Sequence, residues 1–294
     1  IWIISYWENL KKPKNFSIVE LGPGNGELFK ILESTFKKFP EFYNSSNLYL
    51  YEKSKTLKTI QKKKLQSKKI SWISNFDKLK KGPVIFFGNE FFDAIPIKQF
   101  EKKNGIVYEK FVKLKNNTIT TVLKKASKKE LEELKRLKLF KNFHFIEFPK
   151  LGLNELQKII KKIKKLNGGL LLIDYGYLKQ KNINTLQSVK RHKKNNLFSN
   201  IGSADVTSLV NFDLLRNYLI SNKLKVNNIV TQSFFLKKIG ILNRAEIVSN
   251  KMKFKDKSDL YFRLKRLLHP KYMGDIFKVI FAHKNNLVKV LGFN

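Results

Sequence analysis

The sequence contains no cysteine. That excludes disulfides, thiolate metal sites, iron–sulfur clusters and any cysteine nucleophile. Histidine is scarce as well. His144, His192, His269 and His283 stand apart, with no His-x-x-x-His pair, so no zinc or other metal site is expected. Acidic residues are few: 23 Asp and Glu face 60 Lys and Arg, for a formal net charge of +37. No apolar run approaches the roughly 20 residues that a membrane helix needs. The opening "IWIISYW" is apolar but short, and no basic segment precedes it. No membrane span, signal peptide or transit peptide is therefore expected.

What is present is ample for a packed core: 294 residues, 42% of them hydrophobic. A single domain spanning 1–294 accommodates that length. The positive charge invites a nucleic-acid partner. Yet lysine is scattered over every segment, beside abundant Asn, Ile and Phe, the set that AT-rich codons encode. A nucleic-acid site would concentrate charge and use Arg for bidentate contacts. Composition therefore accounts for the charge more readily, and nucleic acid ranks below other partners.

Strand-like and helix-like patterns alternate along the chain. "SIVELG" reads as a buried strand. The next segment places Leu28, Ile31, Leu32, Phe36 and Phe39 on one helical stripe. "NLYLYEK" and "KISWIS" are further strands around the basic helix "SKTLKTIQKKKLQ", and "PVIFFGN" is a fourth. Residues 97–150 change texture. They alternate apolar and polar residues around "NG" and "NN", then place Ser127 and Glu130 at capping-box spacing. This is expected to be an inserted hairpin and helix subdomain. The helix "NELQKIIKKIKKL" and the strand "LLLIDYG" resume the alternation. The polar stretch 177–207 is expected to be a loop on the substrate side. "NNIVTQSFFLKKI" and "IFKVIFAHK" read as late strands around the helix "DLYFRLKRLL". Apolar strands alternating with helices imply a parallel sheet covered on both faces, with ligands bound beyond the strands' carboxyl ends.

Two strand ends carry chemistry. "VELGPGNGEL" sets Gly22, Gly24 and Gly26 at every second position after Glu20. Glycine allows the sharp turn and a close ligand approach. The Walker Gly-Lys-Ser/Thr is absent, and a pyrophosphate would be repelled by Glu20. A cofactor bearing an ammonium and a sulfonium would be attracted. Glu52, ending the second strand, is placed to accept both ribose hydroxyls. The pattern fits S-adenosylmethionine better than NAD, and Phe76 and Asn89 complete the expected cofactor set. In "GNEFFDAIP", Asn89 and Glu90 leave the fourth strand where the methyl donor should point, and Asp93 follows in a turn closed by Pro96.

The segments "ELGPGNGEL", "GNEFFDAIP", "LLIDYG", "TLQSVKRHK", "IGSADVTSLVNF", "TQSFFLKKIGI" and "HPKYMGDIFKVI" occur in this order. With them the chain resembles the MidA-like family of S-adenosylmethionine-dependent methyltransferases, which includes the mitochondrial complex I assembly protein arginine methyltransferases. The resemblance implies an α/β class I methyltransferase fold: Rossmann-like, doubly wound, with a mostly parallel seven-stranded sheet and an inserted subdomain. It implies a protein substrate, an arginine of a respiratory complex I subunit in the mitochondrial members. The location implied is cytoplasmic in a bacterium and the mitochondrial matrix in a eukaryote. It also implies a preceding segment with Gly-Asp-Phe and Pro-Glu elements, after which this sequence starts. For arginine methylation the expected catalytic residues are Glu90, Asp93 and Asp174. Tyr175, Arg191, His192 and Asp205 are expected on the substrate side. Two alternatives stand beside this: an RNA methyltransferase, and a non-catalytic assembly factor with a relic pocket.

Overall fold

The structure, a computed structural model, describes residues 1–116, 118–140, 143–191, 193–285 and 289–294. In chain order its first elements are α1 (Trp2–Asn9), β1 (Phe16–Leu21), α2 (Glu27–Phe36), α3 (Pro40–Ser45), β2 (Ser46–Tyr51), α4 (Lys55–Lys64), β3 (Ile70–Ile73) and β4 (Val84–Asn89). Then follow β5 (Lys98–Lys103), β6 (Ile106–Lys115), β7 (Thr118–Lys125), α5 (Lys128–Arg136), β8 (Phe145–Phe148), α6 (Lys150–Leu166) and β9 (Gly168–Tyr177). After them come β10 (Gln187–Lys190), β11 (Lys193–Asn195), β12 (Asp205–Thr207), β13 (Val210–Asn211), α7 (Phe212–Ser221), β14 (Lys225–Val226) and β15 (Val230–Thr231). The chain ends through α8 (Gln232–Lys238), α9 (Ile241–Ser249), α10 (Phe254–Leu268) and β16 (Phe277–His283).

Two compact units result. The first holds residues 1–91, 157–176 and 219–294; the second holds 92–156 and 177–218. In the first unit the sheet runs β14-β16-β9-β4-β1-β2-β3. Pairing is parallel from β9 through β3. It is antiparallel where β16 meets β9, β14 and β15. The sheet is therefore mixed, and the expectation of a parallel sheet fails at this edge.

The strand order places β1 beside β4. From β1 the chain steps outward to β2 and β3, and from β4 it steps the other way to β9. Connections leave in opposite directions at this pair, which opens a crevice beyond the carboxyl ends. The register aligns those ends: Leu21 pairs with Tyr51, Glu20 with Phe87, and Asn89 with Ile173.

Apolar side chains on both faces hold the sheet. α1 buries Trp2, Ile3, Ile4, Tyr6 and Trp7 in one cluster with Phe16, Phe281 and Phe293. Trp2 stacks on Tyr6, sets its ring edge against Phe281, and donates its indole N–H to the Leu291 carbonyl at 2.8 Å. α2 buries Phe29, Glu33 and Phe36, while Leu28 and Ile31 are exposed. The expected stripe is thus rotated. Glu33 can face inward because Tyr43 donates to it at 3.0 Å and Lys37 lies 3.2 Å away. The segment read as a strand at "TQSFFLKK" is α8: Thr231 caps it by accepting the Phe234 amide. β15, immediately before it, is only two residues long.

In the second unit β7-β6-β5-β8 form an antiparallel sheet and β11-β10-β12 another. α5 starts with the full capping box of Ser127 and Glu130. The stretch 177–207, expected as a loop, contributes β10, β11 and β12. Glu147 on β8 fastens it: the carboxylate accepts from the Thr185 amide at 2.9 Å, the Leu186 amide at 3.2 Å and the Gln99 amide side chain at 2.9 Å.

Candidate functional site

The crevice side of the first unit gathers the glycine loop and several of the expected carboxylates. β1 ends and the chain turns into α2 with φ of +62° at Gly22, +53° at Gly24 and +82° at Gly26. This left-handed region is where glycine carries no steric cost. Space differs along the loop. A Cβ on Gly22 would lie 3.0 Å from the Phe91 ring, and one on Gly26 would lie 3.2 Å from Leu65; at Gly24 it would meet nothing within 4 Å. Gly24 is the open point of the loop.

Glu20 is 3% exposed, and its Oε2 has no hydrogen-bond partner among the described residues. Burial pushes its carboxyl up to about 8, because the anion loses its hydration and gains no counter-ion. An orphaned buried carboxylate beside an open glycine loop fits a cationic ligand and disfavours a phosphate. Glu52, just past β2, is held from two sides: Oε1 accepts the Ser54 amide at 2.8 Å, and Oε2 accepts the Gln61 amide side chain at 3.2 Å. Each oxygen keeps lone-pair capacity for a further donor such as a ribose hydroxyl. Phe76 is buried in contact with Tyr51, ring centroids 4.6 Å apart, and with Phe86 at 5.2 Å.

At the end of β4, Asn89 and Glu90 are exposed, and Asn89 Nδ2 donates to Glu90 Oε1 at 3.3 Å. Glu90 has φ +53°, a conformation that costs a non-glycine residue of order 1–3 kcal/mol and that clusters at functional sites. Its amide is anchored to the Ile173 carbonyl of β9 at 2.9 Å. Also on β9, Asp174 is buried and accepts the Tyr175 amide at 2.9 Å. Tyr175 packs edge-on against Phe277 at 5.4 Å.

The remaining expected residues belong to the second unit. Asp93 is buried, and its backbone carbonyl accepts the Ser208 amide at 3.2 Å. Arg191 is exposed in the turn between β10 and β11, with φ +49°. Asp205 is exposed on β12. His192 lies outside the described residues. Among the described residues no group of three or more His, Asp or Glu could hold a metal, and no helix is long and apolar enough to cross a membrane.

One residue of this site escaped the sequence reading. Gln61 sits in the lysine-rich α4 and is fully buried. Its signal was present: Leu57, Gln61 and Leu65 fall four residues apart, on one helical stripe, with a polar residue at the centre.

Residues 1–230 match the family described as "Putative S-adenosyl-L-methionine-dependent methyltransferase". The chain is similar to "Protein arginine methyltransferase NDUFAF7, mitochondrial" of Xenopus laevis, 26% identical over 307 residues, covering 95% of this chain and 69% of that protein. The Homo sapiens protein of that name is 26% identical over 305 residues, covering 94% and 68%. The Caenorhabditis elegans homolog is 26% identical over 266 residues, covering 83% and 62%. The chain thus spans about two thirds of the length of these relatives. Two solved Burkholderia thailandensis structures share the fold. One has a TM-score of 0.79 at 19% identity, covering 98% of this chain and 78% of the other. The second, bound to S-adenosyl-homocysteine, has a TM-score of 0.78 at 18% identity, covering 98% and 76%. With a match over residues 1–230, this chain belongs to the S-adenosyl-L-methionine-dependent methyltransferase family so described.

Proposed function

We propose that this chain transfers a methyl group from S-adenosylmethionine to a guanidinium nitrogen of a protein arginine. The observation that carries the cofactor reading is the buried Glu20 carboxyl, with Oε2 unpartnered among the described residues, on the strand that leads into the glycine loop with its open Gly24. When bound, the cofactor supplies an electrophilic methyl on a sulfonium. Glu20 offers its charge to the ligand's cationic end, Gly22, Gly24 and Gly26 let the backbone approach it, and Glu52 accepts its ribose hydroxyls. Phe76 and Asn89 complete the pocket.

Arginine stays protonated at any ordinary pH, with a pKa above about 12. The enzyme must therefore align the guanidinium and receive its proton. Glu90 is the group to do both, because a carboxylate binds the fork of N–H donors and accepts the proton as transfer proceeds. In the same unit Asp174 assists and Tyr175 shapes the substrate side. The arginine reading is supported by the names of the vertebrate and nematode relatives. A respiratory complex I subunit as substrate, and a mitochondrial location in a eukaryotic host, follow from the same resemblance.

The test is transfer of a labelled methyl group from S-adenosylmethionine to a protein extract, with the product hydrolysed and examined for methylarginine. Glu90→Gln should lower the rate about 100-fold or more, with melting unchanged because the side chain is exposed. Label on RNA or DNA and not on protein would replace the arginine reading with the one that the net charge of +37 favours.

A further inference from the structure

We infer that Gln61 is a positioning residue for ribose recognition, locking Glu52 and the glycine loop into one hydrogen-bonded unit. The inference rests on the cofactor reading above and adds to it a residue that acts through Glu52 and the loop.

The amide of Gln61 is fully buried, and its hydrogen-bonding groups are all engaged. Nε2 donates to the Gly24 carbonyl at 2.7 Å and to Glu52 Oε2 at 3.2 Å. Oε1 accepts the indole N–H of Trp72 at 3.0 Å. An indole nitrogen can only donate, so Trp72 fixes which end of the amide is oxygen. The two N–H bonds are thereby aimed at the loop and at the carboxylate, and the amide cannot flip without losing all three contacts. Burial of an amide is costly unless its partners are kept.

Other contacts bring the same stretch of α4 against the loop. A Cβ on Gly26 would lie 3.5 Å from Gln61 Cγ and 3.2 Å from Leu65. Lys64 pairs with Glu27, the first residue of α2, at 2.5 Å. Ser54 caps α4 by accepting the Leu57 amide and donates its own amide to Glu52 Oε1. Glu52 is therefore gripped from both sides by one helix. Its two oxygens are held in a fixed plane before a ligand arrives, so less ordering is required at binding.

The side chain suits this task. Glutamate in its place could not donate and would set a second carboxylate against Glu52. Asparagine is one methylene shorter. Methionine fills the volume without either polar function, which makes it the clean probe.

The experiment uses the full chain and two ligands, S-adenosylhomocysteine and its 2′,3′-dideoxy analogue, measured by calorimetry. Wild type should prefer the hydroxyl-bearing ligand, and Glu52→Ala should abolish that preference. Gln61→Met should weaken S-adenosylhomocysteine binding by roughly 10- to 100-fold, the scale of bonds to a charged group, and should lower the preference ratio. In the Glu52→Ala background the same substitution should leave the ratio unchanged. Trp72→Phe keeps Gln61 but frees its amide to rotate, and should lower the ratio part-way; it decides the matter if Gln61→Met fails to fold. A merely structural Gln61 would weaken both ligands by one factor at an unchanged ratio, and that result overturns the inference. A wild type that binds S-adenosylhomocysteine without preferring the hydroxyls overturns it too, and leaves the cofactor reading standing. A wild type that binds neither ligand defeats the cofactor reading and the inference together.

Discussion

Replacing Glu20 by Gln should stabilise the ligand-free protein at neutral and alkaline pH while weakening its hold on a cationic cofactor. In the folded protein burial raises this carboxyl to about 8, against an ordinary value of 4.5. Below about pH 4.5 the group is neutral in both folded and unfolded chains, and the substitution should have little effect on stability. Between the two values the unfolded chain gives up its proton and the folded chain keeps it, so stability falls as pH rises. At about 1.36 kcal/mol per pH unit, the wild type gives up roughly 3 kcal/mol at pH 7 and roughly 5 kcal/mol above pH 8. Gln is the neutral isostere and escapes that loss. Denaturant unfolding of both proteins from pH 5 to pH 9 reads the difference directly, because every other titration cancels between them. A cation bound beside Glu20 should pull its pKa back down, so at pH 7 wild-type binding of S-adenosylmethionine should release a proton from this carboxyl. Calorimetry in buffers of different ionisation enthalpy measures that release, and Glu20→Gln should abolish it. A stability difference flat across this pH range, together with binding that releases no proton, would refute the account of Glu20.

Gly22→Ala should cost about 1–3 kcal/mol, because φ is +62° and the new Cβ would lie 3.0 Å from Phe91; chemical denaturation checks this. Trp2→Ala should cost about 3–5 kcal/mol, since it empties a buried aromatic site and leaves the Leu291 carbonyl without its donor; the same assay reads it, with no change in the Glu20 pH profile.

The strand-end positions of Glu20, Glu52, Asn89 and Glu90 were legible because a polar or acidic residue at the end of an apolar run breaks the pattern. The capping box of α5 was legible because Ser127 and Glu130 are both local. Errors arose where a specific side-chain partner, not composition, decides the outcome. The stripe of α2 was read a step out of phase, since Glu33 faces inward only because Tyr43 and Lys37 meet it. "TQSFFLKK" has strand-like composition, yet a single threonine cap makes it helical. The mixed edge at β16 and the short strands of 187–207 depend on pairing, which leaves little trace in composition. Gln61 was hidden among lysines, since its importance comes from Trp72 and Gly24, distant in the sequence.

The bond from Trp2 to Leu291 has a consequence for how the protein is made. Its two ends are 289 residues apart in the chain. At a synthesis rate of about 5–20 residues per second, α1 waits roughly 15–60 s on the ribosome before Leu291 is added. During that time Trp2, Ile3, Ile4, Tyr6 and Trp7 have no Phe281 or Phe293 to cover them. The second unit, whose residues all precede 219, can condense in the interval. Tyr6 and Trp7 can meet Phe16 and Phe42 early, but the Trp2 side of α1 completes its packing only when Phe281, Leu291 and Phe293 arrive.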